Sequence, residues 1–165
     1  MALEDVERQK TRPPTIDDLV TVCKKLDEND VKYVLIGGFA MNYYGLTRAT
    51  EDVDLLVDTS IDNIAKIKKA LSFLPDNAIR DLANDDVEKY EVVKIADEIV
   101  IDLLKKACDV TYKDAGIEYF EFRGVNIPIA DIPTMIKTKQ SIRPKDKQDL
   151  SFLMFILEED KNSRQ

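Results

Sequence analysis

Histidine is missing from this chain altogether. That excludes histidine general bases, Ser-His-Asp triads and histidine-ligated zinc, so any chemistry must run on carboxylates, lysines, hydroxyls or a bound metal. Cysteine is nearly as scarce. Cys23 and Cys108 each fall inside an apolar-periodic segment, without the paired spacing of a zinc site or a disulfide framework, and two buried thiols are expected. Long apolar runs are lacking too. None approaches the roughly 20 residues needed to span a bilayer, and Met1–Pro14 is charged and not signal-like, which predicts a cytoplasmic protein with no membrane partner. Positive charge is also short, with 24 Lys and Arg against 32 Asp and Glu and a net charge of -8. Non-specific nucleic-acid binding needs clustered positive charge to release counterions, so it is disfavoured here, whereas a local basic groove for a specific RNA remains compatible with the composition.

What is present suits one buried core. At 165 residues and 44% hydrophobic content the chain is too short for two comfortable domains. We expect a flexible N-terminal arm over residues 1–14 and a single domain over 15–160. Thr15 reads as a helix N-cap, with Asp17 and Asp18 at the positive end of the dipole. Ile16, Leu19, Val20, Cys23 and Leu26 follow at helical spacing up to about Asn29. Residues 31–36 are β-branched and aromatic enough for a buried strand, which stops at Gly37-Gly38. A short helix closed by Gly45 and a polar connection lead to a second strand over 52–57. A helix capped by Thr59 or Ser60 runs to about Phe73, and residues 76–88 show no clear period. Residues 90–95 and 98–103 form a hairpin around Ala96-Asp97, and 118–122 with 125–129 form another around Arg123-Gly124. Helices over 132–140 and 145–158 end the chain, Pro144 opening the last. A mixed β-sheet with flanking helices, an α/β (α+β) fold, accommodates this order economically.

The most informative stretch joins Gly37-Gly38 to Asp52-Val53-Asp54. Strand side chains alternate, so Asp52 and Asp54 share one face while Val53 and Leu55 enter the core. Two carboxylates on one face suit magnesium, which takes hard oxygen ligands from one or two carboxylates together with substrate phosphates. A glycine pair between strand and helix lets the backbone approach a triphosphate, and the helix that follows directs free N–H groups at the anion. Taken singly, each element has a plainer reading: a tight turn for the glycines, a solvated strand edge for the aspartates.

Together they form a pattern. The run Ile36 to Asp58, IGGFAMNYYGLTRATEDVDLLVD, resembles the DNA polymerase beta-type nucleotidyltransferase superfamily, in particular small bacterial and archaeal members related to antibiotic nucleotidyltransferases and toxin-antitoxin nucleotidyltransferases. Such proteins carry a third carboxylate on a later strand, and Asp102 in Ile99–Leu104 matches it. The segment from Met135 through Arg143-Pro144-Lys145-Asp146 to Asp149-Leu150 resembles the lysine-rich helix and Arg-x-Lys-Asp-x-x-Asp-Leu run late in many of them. Many members have Gly-Ser where this chain has Gly-Gly followed by Phe39, so phosphate contacts would come from backbone N–H groups.

The resemblance implies a nucleotidyltransferase fold and transfer of a nucleoside monophosphate, AMP, from ATP to an acceptor hydroxyl. Asp52, Asp54 and Asp102 would hold two Mg2+ (or Mn2+) ions, Asp102 doubling as general base. Gly37 and Gly38 would meet the triphosphate, Lys139 would supply counter-charge, Arg48 would clamp nucleotide or acceptor, and Thr50 would support its loop by hydrogen bonding. Arg143, Asp146 and Asp149 are expected to form an exposed ion-pair network without a catalytic role. The acceptor (small molecule, protein or tRNA) has no readable signature, and a second copy of the chain or a small helical partner protein would complete so small a site. A member that binds nucleotide without turnover would carry the same motifs.

Overall fold

A computed structural model describes residues 11–164, and the first ten residues of the expected arm lie outside the described residues. Arg12 lies within them: its backbone N–H donates to Glu98 O (2.9 Å), and its guanidinium reaches Asp18 and Glu98.

Helix α1 (Ile16–Glu28) opens on a capping box in which the Thr15 side chain accepts from the Asp18 N–H and the Asp18 carboxylate accepts from the Thr15 N–H. It buries Leu19, Val22, Cys23 and Leu26. Strand β1 (Tyr33–Ile36) is buried throughout, and α2 (Gly37–Tyr44) follows with no intervening loop, ending on left-handed Gly45. Strand β2 (Val53–Val57) leads to α3 (Ile61–Ala70), capped by Ser60. Buried Asn63 in that helix fixes its start: Oδ1 accepts from the Lys32 N–H, and Nδ2 donates to Lys32 O and Asp58 O. Where residues 76–88 show no sequence period, the chain makes a 3-10 turn (Ala78–Asp81) and the short helix α4 (Asp86–Tyr90).

Strands β3 (Val92–Ala96) and β4 (Val100–Leu104) form the expected hairpin. A two-stranded ribbon of β5 (Lys106–Ala107) and β6 (Val110–Thr111) follows. Strands β7 (Ile117–Phe122) and β8 (Val125–Ala130) join through Arg123-Gly124, both at positive φ (50° and 78°), as a two-residue turn of matching twist requires. Helices α5 (Ile132–Thr138) and α6 (Pro144–Ser163) end the described chain.

Among the described residues the main sheet has six strands in the order β3-β4-β2-β1-β8-β7. It is mixed, with β2 parallel to β4 and β1 parallel to β8, while β1–β2, β3–β4 and β7–β8 are antiparallel. Helix α1 packs on β8 and α3, and α2 on β1 and β2. Leu35, Val53, Leu55, Leu56, Ile101 and Leu103 of the central strands are fully buried and anchor the core. Because β2 and β4 are interior strands of the sheet, their polar residues are held by strands paired on both sides. Among the described residues no helix is long and apolar enough to cross a membrane.

One thiol departs from expectation. Cys23 is buried but Cys108 is exposed, because it stands in the turn of the small ribbon, at φ 52°, and not in an apolar-periodic element.

Candidate active site

The parallel pairing of β2 with β4 puts Asp54 directly beside Asp102. Asp52 lies just before β2, two residues from Asp54 and therefore toward the same side. One carboxylate oxygen from each of the three lies within 4.8 Å of the others. Nothing in the hydrophobic pattern of either strand requires acids there, and crowding raises the proton affinity of Asp52 and Asp54. Burial foremost, then the charges of Asp52 and Asp102, push Asp54 up to about 7, with Lys139 opposing. Asp52 is raised as well, by burial and by Asp102, against the pull of Lys94. A cluster of hard oxygens suits a divalent cation such as magnesium.

The glycine pair stands against this cluster. Gly37 has φ 73°, and a Cβ placed on it would run into the Asp54 carboxylate, 2.8 Å from Cγ and closer to Oδ2. A Cβ on Gly38 would meet the Thr50 methyl at 2.5 Å. A side chain at Gly37 would therefore close the gap between helix start and acids, and one at Gly38 would collide with the connection ahead of β2. Among the described residues no side chain caps the first turn of α2, which leaves its N–H groups available to an anion. The Thr50 hydroxyl makes no hydrogen bond among the described residues. Its contribution to the loop is the methyl packed over Gly38, in place of the expected hydrogen bond.

All eight residues expected from the sequence, Gly37, Gly38, Arg48, Thr50, Asp52, Asp54, Asp102 and Lys139, line a single cleft of about 430 Å³. Arg143 and Lys145 lie on its wall as well. An apolar cavity of about 550 Å³, lined in part by Phe39, Tyr43, Phe120 and Phe122, shares the 48–50 segment as a wall.

The basic side of the cleft differs from the sequence reading in one respect. Arg143, Asp146 and Asp149 were expected as an exposed network, yet Asp149 is fully buried and Asp146 is 4% exposed. Helix α6 turns these acids inward against α5 and the 46–52 connection. Asp149 Oδ1 accepts from Arg48 Nη1 at 2.6 Å, and its Oδ2 lies 2.9 Å from Lys139 Nζ. Lys139, itself only 7% exposed, also approaches Asp146 at 3.6 Å. Burial acts to raise Asp146, but hydrogen bonds from Arg143 and Ser141 and the charge of Lys139 bring it down to about 2. Arg48 and Lys139 are thus oriented by a buried acid before any ligand arrives.

One residue beside the acids escaped the sequence reading. Lys94 on β3 lies directly across from Asp102, with its ammonium 2.9 Å from Asp102 Oδ1 and 3.5 Å from Asp52 Oδ2. Asp97, expected in a turn, is 1% exposed and accepts from the N–H groups of Asp76, Ala78 and Glu98. It holds the β3–β4 turn against the 3-10 segment and takes no part in the cleft.

Over residues 24–153 the sequence matches a protein family described as nucleotidyl transferase AbiEii toxin, type IV TA system. No curated protein sequence matches the chain. Among solved structures, the fold is similar to that of an antigenic nucleotidyltransferase-like protein from Paracoccidioides brasiliensis, with TM-score 0.54 and 16% identity over 88% of this chain and 79% of that one. It is similar as well to a candidate nucleotidyltransferase from Thermotoga maritima, with TM-score 0.51 and 13% identity over 96% of each chain. At such identities the likeness concerns the fold, which is that of the nucleotidyltransferases.

Proposed function

The chain belongs to the AbiEii nucleotidyl transferase toxin family, and from that premise we propose that it moves AMP from ATP to the hydroxyl of an acceptor with the help of a divalent cation, Mg2+ or Mn2+. The reading rests above all on the convergence of three aspartates within 4.8 Å beside the uncapped diglycine start of a helix. Asp52, Asp54 and Asp102 hold the cation. When bound, such a cation neutralises charge developing on the transferring phosphoryl group and makes a coordinated hydroxyl easier to deprotonate.

The chain's own residues do the rest. Backbone N–H groups at Gly37 and Gly38 receive the triphosphate, and Lys139 and Arg48 balance its charge from the opposite wall. Thr50 keeps the connection pressed on Gly38. A carboxylate oxygen of Asp102 takes the acceptor proton as the hydroxyl oxygen bonds to the α-phosphorus. The bond from that phosphorus to the β-bridging oxygen breaks and pyrophosphate departs. A protein antitoxin partner follows from the family description, and a small helical protein would suit that role.

The test uses ATP labelled at the α-phosphorus with Mg2+ or Mn2+, supplying in turn tRNA, the protein itself or a partner, and small hydroxylated compounds. Label on one acceptor class together with stoichiometric pyrophosphate is the expected result. Retained ATP analogue without product from any acceptor would reduce the protein to a nucleotide-binding member of the fold.

A further inference from the structure

Lys94 reaches two of the acids proposed to hold the cation, and it differs from the basic residues that line the cleft. Lys139 is buried and tied to Asp149 and Asp146. Lys94 rises from β3, the edge strand of the sheet, and its side chain is 57% exposed while that of its partner Asp102 is 13% exposed. The acids are therefore fixed on central strands, and the ammonium that touches them rides on a flexible four-carbon stem with water on its free side. With its lysine end in water the ion pair is partly screened and contributes little to stability, so the hairpin does not require it. Its effect is electrostatic. The ammonium takes up an Asp102 oxygen and approaches one of Asp52, two of the three ligands the cation needs.

We propose that Lys94 is a tethered counter-ion that competes with free divalent metal for Asp52 and Asp102, so that metal enters with the nucleoside triphosphate and not ahead of it. This rests on the metal-dependent reading given above. A metal ion arriving alone must displace the ammonium and then lie close to it as a like charge. A triphosphate brings several negative charges into the cleft, which retain the metal and give the displaced ammonium a new partner. Lys94 acts through the metal ligands, which makes it a positioning residue.

Mn2+ binding, followed by the paramagnetic resonance of the free ion, separates the outcomes. Wild type, K94Q, K94A and K94R are each titrated with and without a non-hydrolysable ATP analogue. Without the analogue, K94Q and K94A are expected to bind Mn2+ on the order of tenfold tighter than wild type, with K94R close to wild type. With the analogue the gap should shrink to about twofold or less. Exposure of Lys94 on an edge strand lets all three variants fold, which melting curves in chelator check. If K94Q and K94A bind free Mn2+ no tighter than wild type, or K94R behaves as they do, the counter-ion role is overturned, while Mn2+ uptake by wild type with analogue leaves the proposed function standing. If no form binds Mn2+ under either condition, the metal-dependent reading itself fails.

Discussion

Asp54 is confined among two other carboxylates and largely shielded from water, and its proton is correspondingly hard to remove, with a pKa of about 7. A carboxylate must be ionised to ligate metal, so below pH 7 metal and proton compete for it. Mn2+ affinity measured with ATP analogue should therefore rise about fivefold from pH 6 to pH 7, about twofold more by pH 8, and level off above that. Asp54→Asn should abolish the binding. The same shift acts on stability in the metal-free protein. Asp54 holds its proton more tightly folded than unfolded, so its favourable contribution is complete below the ordinary carboxylate range and is lost as pH rises through about 7. In chelator, urea unfolding should find D54N more stable than wild type at pH 8 by about 2 to 4 kcal/mol, the difference vanishing near pH 4. A D54N variant less stable than wild type at pH 8 would mean that the carboxylate has a structural role. These aspartates were legible because strand alternation alone puts Asp52 and Asp54 on one side. Lys94 was not, because its place depends on the register of a hairpin. A two-residue turn at Ala96-Asp97 would pair Lys94 with Ile99, whereas the observed pairing is with Asp102.

At the scale of the element, that register traces to Asp97. The β3–β4 turn pairs Ala96 with Val100, which leaves residues 97–99 as a three-residue loop, and Asp97 turns inward to accept three backbone N–H groups. Hairpin existence followed from hydrophobic alternation, but loop length depended on a carboxylate bonding to residues some twenty positions upstream, which no local pattern records. Replacing Asp97 by Ala strands those donors in a buried setting. The expected cost is about 2 to 4 kcal/mol, read as a lower urea midpoint with an unchanged slope. Because β3 carries Lys94 and β4 carries Asp102, hydrogen exchange in D97A should rise first in residues 92–104. Uniform loss of protection across the sheet would show instead that the turn is not a separable unit. The ribbon around Cys108 was illegible for a simpler reason: strands of two residues, Lys106–Ala107 and Val110–Thr111, are too short to display a period.

Across the whole molecule, the cleft is assembled from parts of the chain far apart in sequence, and Asp149 is what ties its basic wall together. It reaches from α6 to Arg48, ahead of β2, and to Lys139, at the end of α5. The sequence marked Lys139 and Asp149 as a shared motif, but their burial emerges only when α6 folds back, since a helix start carrying Asp146 and Asp149 among lysines reads equally well as a solvated face. With Asp149 fully buried, Asp149→Ala leaves two cations facing each other without their acid, at a cost of about 3 to 5 kcal/mol, and added salt should recover little of it because buried charges are poorly screened. The consequence for ligand binding is more specific. A triphosphate can stand in for the lost carboxylate by pairing with Arg48 and Lys139, and whatever binds only the folded state raises its stability. Saturating ATP analogue with Mg2+ should then raise the melting temperature of D149A more than it raises that of wild type. A smaller rise in D149A would place those two side chains outside the reach of the phosphates, and the proposed triphosphate wall would have to be sought at Arg143 and Lys145.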